Sequence, residues 1–291
     1  MHTHAVQHGI VARDGTAIGY LQAGRGPGLI VLHGIMESAR SHMELARELS
    51  DTFTVYLPER RGRGRSGPYG EEHGMEKELE DLDALLAHTG ARYLFGVSLG
   101  GLIALHAALA LPYIRKCAVF DPPMAINGSV SNGWLARFEQ ELARGNVAAA
   151  LVTSMLGAKL GPPFLERMPR RLLEYLTVKM LEREERKAAP GDITFRALAP
   201  TLLHDGRLVT EMGDGLEKFG KVRPDMLLLG GSRSPAYMKT ALDALEKALP
   251  RVRRVEFQGL GHEAAGNRNR RGRPERVAEE LRRFFQSDSV E

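Results

Sequence analysis

The chain has 291 residues, 43% hydrophobic and 26% charged, with 40 Lys and Arg against 36 Asp and Glu for a formal net charge of +4. That length can bury a large core, and the balance excludes disordered and fibrous classes. One cysteine, Cys117, excludes an intrachain disulfide framework and a thiolate zinc site.

The first stretch, MHTHAVQHGIVARDG, lacks the long apolar core of a signal peptide, and no apolar run reaches membrane-span length. The expectation is a soluble, cytoplasmic protein with no membrane partner. His2, His4 and His8 alternate, but loose histidines at a chain end do not make a metal tract, and no metal is expected. GIVAR (9–13) and AIGYLQAG (17–24), joined through Asp14-Gly15, predict a hairpin. LIVLHG (29–34), FTVYLPE (53–59), YLFGVS (93–98) and KCAVFD (116–121) then alternate with helical patterns over 41–50, 75–90 and 99–112. Alternation of this kind predicts an α/β fold, a mostly parallel sheet with helices on both faces.

From about Pro122 to Pro224 no strand is legible. Helical segments at 134–146, 146–157, 170–187 and 193–203 are separated by breaks such as GPP and APGD. This predicts a helical insertion over 123–223 within a core formed by 1–122 and 224–291. Strands MLLLGG (226–231) and RVEFQG (254–259), with helices over 235–250 and 274–285, finish the α/β layer.

Gly96, Ser98 and Gly100 form G-x-S-x-G where a strand becomes a helix, with Gly101 behind. Glycines there let the backbone turn sharply, so the serine stands exposed at the carboxyl edge of the sheet, under the free N–H groups of the helix that starts at Leu99. A serine hydroxyl needs a base. His262, in the turn GLGHEAAG after the last strand, lies at the same edge; His42, His88 and His106 fall in predicted helices, His73 in a polar loop and His204 in the insertion. The backbone N–H groups of Ile35, in the turn after His33-Gly34, and Leu99 are the expected oxyanion donors. His33 is read as tying its turn together.

On His33-Gly34, Arg61-Gly62-Arg63-Gly64-Arg65-Ser66, the Gly96-Val97-Ser98-Leu99-Gly100-Gly101 elbow and Gly261-His262, the chain resembles an α/β-hydrolase-fold enzyme over residues 10–121 and 225–286. The resemblance implies an eight-stranded sheet, a helical lid inserted after the sixth strand, and a Ser, acid, His triad in that chain order. The departure is at the acid. Many members carry an Asp after the seventh strand, where this chain has Ser234; some take it from the end of the sixth, where this chain has Asp121. Asp121, followed by Pro122-Pro123, is therefore the expected acid, completing Ser98, His262 and Asp121.

GRGRSG (62–67) also fits G-x-G-x-x-G, but Pro68 follows instead of an apolar helix, so the match is read as accidental and no cofactor is expected. Arg268, Arg270, Arg271 and Arg273 suggest steering of an anionic substrate, without the aromatic or zinc motifs that would indicate a nucleic-acid partner. Trp134, Phe138 and Leu142, and Leu172, Leu176 and Met180, recur at helical spacing; Met124 and Trp134 are the candidate substrate-binding residues. The expected reaction is hydrolysis of a medium-sized hydrophobic carboxylic ester, lactone or thioester through an acyl-enzyme. Carbon–carbon bond cleavage, lyase chemistry or ligand sensing on the same residues stays open, as does monomer or homodimer.

Overall fold

The computed structural model describes residues 5–124, 126, 133–158, 163–211 and 215–287. They form two compact units, one of Met1–Met124 with Asp214–Glu291 and one of Ala125–Gly213. His2 and His4 lie outside the described residues, while His8 stacks on Tyr20 with ring centroids 5.3 Å apart.

The first unit holds an eight-stranded sheet: β1 (Val6–Val11), β2 (Ala17–Gly24), β3 (Gly28–Leu32), β4 (Thr54–Pro58), β5 (Tyr93–Val97), β6 (Lys116–Phe120), β7 (Asp225–Gly231) and β8 (Val252–Phe257). Their spatial order is β1-β2-β4-β3-β5-β6-β7-β8, with β2 antiparallel to both β1 and β4 and every later pairing parallel. The predicted hairpin forms as Gly15 adopts a left-handed φ of 86° and Asp14 Oδ1 accepts from the Thr16 N–H at 3.0 Å. β1 begins three residues before GIVAR because pairing with β2 runs back to Val6↔Gln22, although its side chains are mostly exposed and show no apolar pattern.

The central strands are apolar on both faces, as a sheet covered on both sides requires. Phe95, Ala118, Phe120, Leu227 and Leu229 face a layer that includes α1 (Met43–Leu49), whose Ala46 and Leu49 join the same cluster. The opposite face carries α2 (Met75–Thr89) and α3 (Leu99–Ala110), the latter buried all round from Leu99 to Ala108. Cys117 points to that side, its thiol donating to the Ala104 carbonyl at 3.7 Å, and burial pushes the thiol pKa up, the state of an inert core cysteine.

In the second unit α4 (Leu135–Ala143), α5 (Val147–Gly157), α6 (Arg170–Lys187), α7 (Phe195–Leu198) and α8 (Thr201–Glu211) pack on one another. Asn146 caps α5 by accepting from the Ala149 N–H at 3.2 Å. Arg170 fastens three helices at once, donating to Glu141 at 2.7 Å, to Thr153 at 2.7 Å and to the Ala149 carbonyl at 3.0 Å. This unit ends at Gly213, ahead of the 223 read from the sequence, because Leu216–Lys221 fold as a 3-10 turn whose Phe219 packs edge-on against His106 of α3. The sheet unit closes with α9 (Ala236–Ala248) and α10 (Pro274–Gln286), whose buried Val277, Ala278, Leu281, Phe284 and Phe285 trace one helix face towards α1. No helix among the described residues is long and apolar enough to cross a membrane.

The GRGRSG segment is a turn, as its following proline implies: Gly62 N–H donates to the Gly67 carbonyl at 2.9 Å, and the next helix starts only at Met75. The two arginines just before it are structural. Arg60 forms a two-pronged pair with Glu78 at 2.9 and 2.6 Å, and Arg61 forms one with Asp81 at 2.7 Å on both prongs. Burial works against the Glu78 charge, but the Arg60 guanidinium and the His73 hydrogen bond outweigh it and hold the carboxyl well below its usual range. Glu78→Ala therefore leaves Arg60 buried without its carboxylate and lowers the unfolding free energy at pH 7 by about 3–5 kcal/mol, read from urea midpoints. Since the folded pKa is depressed, the Glu78 contribution is complete above about pH 4.3 and is lost as pH falls through the folded value, so the gap between native and variant closes in acid.

Candidate active site

The site is built where β5, β6 and β8 end. Ser98 follows β5 with φ 53° and ψ −124°, a strained backbone for a non-glycine residue, and its N–H donates to the Phe120 carbonyl at 2.9 Å. The flanking glycines are there for closeness: a Cβ on Gly96 would lie 2.1 Å from the Gly100 carbonyl oxygen, and one on Gly100 would lie 2.4 Å from that of Leu32. Any larger residue at either position forces α3 away from β3 and β5. Ser98 is 7% exposed.

Asp121 ends β6 in a left-handed conformation, φ 45°, which aspartate tolerates better than most residues, and its N–H donates to the Leu229 carbonyl at 2.9 Å. Its carboxylate is fully buried. Oδ2 faces His262 Nδ1 at 3.3 Å and accepts from the Ser234 hydroxyl at 2.5 Å. Ser234 Oγ also accepts from the Gly231 N–H at 3.1 Å. The hydroxyl at the position of the missing acid thus serves the carboxylate. The neighbouring Tyr237 registers that charge: burial and the Asp121 carboxylate push its phenol up to about 12.

His262 opens a 3-10 turn, His262–Ala265, and its ring is one-third exposed. The turn after β8 is pinned to the turn after β7: Arg233 N–H donates to the Leu260 carbonyl at 2.8 Å and Gly259 N–H to Ser232 Oγ at 2.9 Å. With Nδ1 turned to a carboxylate, the lone pair of the ring sits on Nε2.

The turn after β3 runs through Gly34, Ile35 and Met36, with Met36 at φ 56°. Neither the Ile35 nor the Leu99 N–H has an acceptor among the described residues. His33 is a fastener: Nδ1 donates to the Gly34 carbonyl at 3.0 Å and Nε2 accepts from the Arg60 N–H at 3.3 Å. Burial, with the Arg63 and Arg60 charges, keeps its pKa well below the ordinary histidine value, so the ring is neutral and in the tautomer those bonds require.

Met124 is buried three residues beyond Asp121 in the sheet unit. Trp134 lies in the helical unit, over Gly157 and Gly206, with its ring edge-on to Phe138 at 5.8 Å. Arg268 cannot steer a ligand as a free charge, because it pairs with Glu44, Glu48 and Glu275 at 2.7, 3.1 and 2.9 Å. Sequence reading passed over Glu37 and set His42 aside as a helix residue; His42 in fact ends a 3-10 turn, Ala39–His42, with its ring fully buried against Glu37. No local motif marks this pair, since its other partner is the Ala265 carbonyl, 223 residues further along the chain.

Residues 29–280 match the family described as "Alpha/beta hydrolase family". The chain is 28% identical over 250 residues to a protein named pimeloyl-[acyl-carrier protein] methyl ester esterase from Stenotrophomonas maltophilia (strain K279a), a match covering 82% of this chain and 87% of that protein. It is 27% identical over 270 residues to a protein of the same name from Xanthomonas campestris pv. campestris (strain B100), covering 90% and 96%. The crystal structure of an alpha/beta hydrolase from Sphaerobacter thermophilus DSM 20745 superposes with a TM-score of 0.78 at 28% identity, covering 96% of this chain and all of that one.

If Asp121 orients the His262 ring, Asp121→Asn lowers kcat by about four orders of magnitude while the protein still folds. Adding Ser234→Asp places a carboxylate beside the same imidazole, and the double variant regains at least about tenfold over Asp121→Asn alone. Steady-state kinetics on a chromogenic ester check both.

Proposed function

The chain belongs to the alpha/beta hydrolase family and is a hydrolase, and from that premise we propose that it cleaves carboxylic esters of medium-sized hydrophobic acids, with Ser98, His262 and Asp121 as its triad. The observation that carries the reading is the bond between the buried Asp121 carboxylate and His262 Nδ1, at the sheet edge where Ser98 is held at positive φ.

In this reading His262 Nε2 takes the Ser98 proton as Oγ attacks the ester carbonyl. The negative charge passes to the carbonyl oxygen, where the Ile35 and Leu99 N–H groups receive it, and Asp121 stabilises the imidazolium without taking a proton. Collapse expels the alcohol, protonated by His262, and leaves an acyl-Ser98 ester. Water, deprotonated by the same ring, then releases the acid and restores the serine. Met124 is the proposed substrate contact from the sheet unit. Relatives named as methyl ester esterases support the ester over other acyl groups, and make a methyl ester of a dicarboxylic acyl chain on a carrier protein a natural substrate to test beside simple p-nitrophenyl esters.

A fluorophosphonate adds one equivalent to the native chain by intact mass and none to Ser98→Ala, and the same substitution lowers kcat on p-nitrophenyl hexanoate by about 10^6. An adduct that persists in Ser98→Ala, or a folded native chain that neither labels nor turns over esters, contradicts the reading.

A further inference from the structure

The turn that offers the Ile35 N–H and the turn that carries His262 meet through one pair of side chains. Gly34 N–H donates to Glu37 Oε2 at 2.7 Å, the same oxygen accepts from His42 Nε2 at 3.0 Å, and His42 Nδ1 donates to the Ala265 carbonyl at 3.0 Å. A carbonyl and a carboxylate can only accept, so both ring nitrogens donate and His42 is an imidazolium. Burial opposes its charge, but Glu37 and the Ala265 carbonyl outweigh it, and the ring's pKa lies above the ordinary value. Burial opposes the Glu37 charge too, and His42 with the Gly34 N–H brings that carboxyl down to about 2.

Fastening alone does not call for charge. Close by, Asn267 ties the chain after the His262 turn to the Arg40–Glu44 segment with neutral groups: its N–H donates to the Ser41 carbonyl at 3.1 Å, its Nδ2 to the Arg40 carbonyl at 2.8 Å, and its Oδ1 accepts from the Glu44 N–H at 2.9 Å. The ion pair stands elsewhere, beside the nucleophile. A Cβ on Gly34 would lie 2.9 Å from Ser98 Cβ and 3.1 Å from Glu37 Oε2, so serine and carboxylate abut the same α-carbon. A bare carboxylate at that place repels the charge that develops on a tetrahedral intermediate, and repulsion is strong where water is excluded. An imidazolium bonded to it cancels the field.

We propose that Glu37 and His42 are positioning residues of this reaction: their largely buried ion pair holds the oxyanion turn to the His262 turn and keeps the carboxylate beside Ser98 neutralised while the oxyanion forms. The role rests on the reading of Ser98, His262, Ile35 and Leu99 given above. The other titratable or charged groups facing the pair are Arg270, from the 3-10 turn that follows the His262 turn, which opposes the imidazolium, His33, just after β3, and Arg63, in the 62–67 turn, whose Nε donates to the Glu37 carbonyl at 3.1 Å. Because the folded pKa of His42 is raised, its contribution is complete below about pH 6.5 and is lost as pH rises through the folded value. Native kcat then declines on that alkaline side as Glu37 loses its counter-charge.

The test measures kcat and KM on p-nitrophenyl hexanoate over roughly pH 6 to 10 for the native chain, His42→Gln, Glu37→Gln and the double variant, with melting temperatures alongside. His42→Gln lowers kcat about ten- to a hundredfold with KM little changed, and its profile lacks the alkaline decline. The double variant, which replaces the ion pair by a neutral amide pair, recovers at least about threefold over His42→Gln, because the uncancelled carboxylate is gone. Glu37→Gln keeps an acceptor for Gly34 but moves the decline to lower pH, and it decides the matter alone if His42→Gln does not fold. Fluorophosphonate labelling of native Ser98 separates the two levels: without that adduct the active-site reading fails. With it, variants that match native kcat within twofold and keep its pH profile overturn the positioning role only.

Discussion

The arrangement depends on one backbone contact. α3 comes so close to β3 and β5 that no side chain fits at Gly96 or Gly100, and the chain between strand and helix is left with a turn that puts Ser98 at positive φ. Steric exclusion fixes the serine where the first N–H groups of α3 are unpaired. The parallel register then does the rest: β6 runs beside β5 with Val97↔Phe120, so Asp121 emerges next to Ser98, and the turn after β8 is drawn in by the hydrogen bonds that join it to the turn after β7.

The electrostatics follow from burial. Asp121 is fully enclosed, and a buried carboxylate is tolerable when donors face it; here these are the Ser234 hydroxyl and the His262 ring. The same rule governs the second carboxylate of the region, Glu37, which takes Gly34 N–H and His42 as donors. In the proposed mechanism, one acid faces the histidine that gains a charge during the reaction. The other stands where a charge of its own sign would form, and it is the one paired with the His42 imidazolium.

Much of this is legible in the sequence, for identifiable reasons. The central strands are short apolar runs between turn residues, and the elbow is a local motif whose glycines have a single steric purpose. His33 is readable as a fastener from its place before a tight turn, and the bonds to Gly34 and Arg60 are of that kind. What escapes the sequence is pairing across distance. The extension of β1 to Val6 is set by its partner strand while its own side chains stay exposed. The Arg268 charge looks available until Glu44, Glu48 and Glu275 are brought to it. The end of the helical unit is hidden because Phe219 looks like one more apolar residue of the insertion until it meets His106. His42 sits in a helical pattern and has no neighbour in sequence that marks it as charged.

The central claim, that these strand ends converge on one acyl-transfer site, is tested most directly by a crystal structure of the chain after reaction with a fluorophosphonate. The account predicts phosphorus on Ser98 Oγ, its oxygen about 2.7–3.1 Å from the Ile35 and Leu99 nitrogens, and the His262 ring still bonded to Asp121. A phosphoryl oxygen turned away from both N–H groups, or His262 paired with a group other than Asp121, contradicts it.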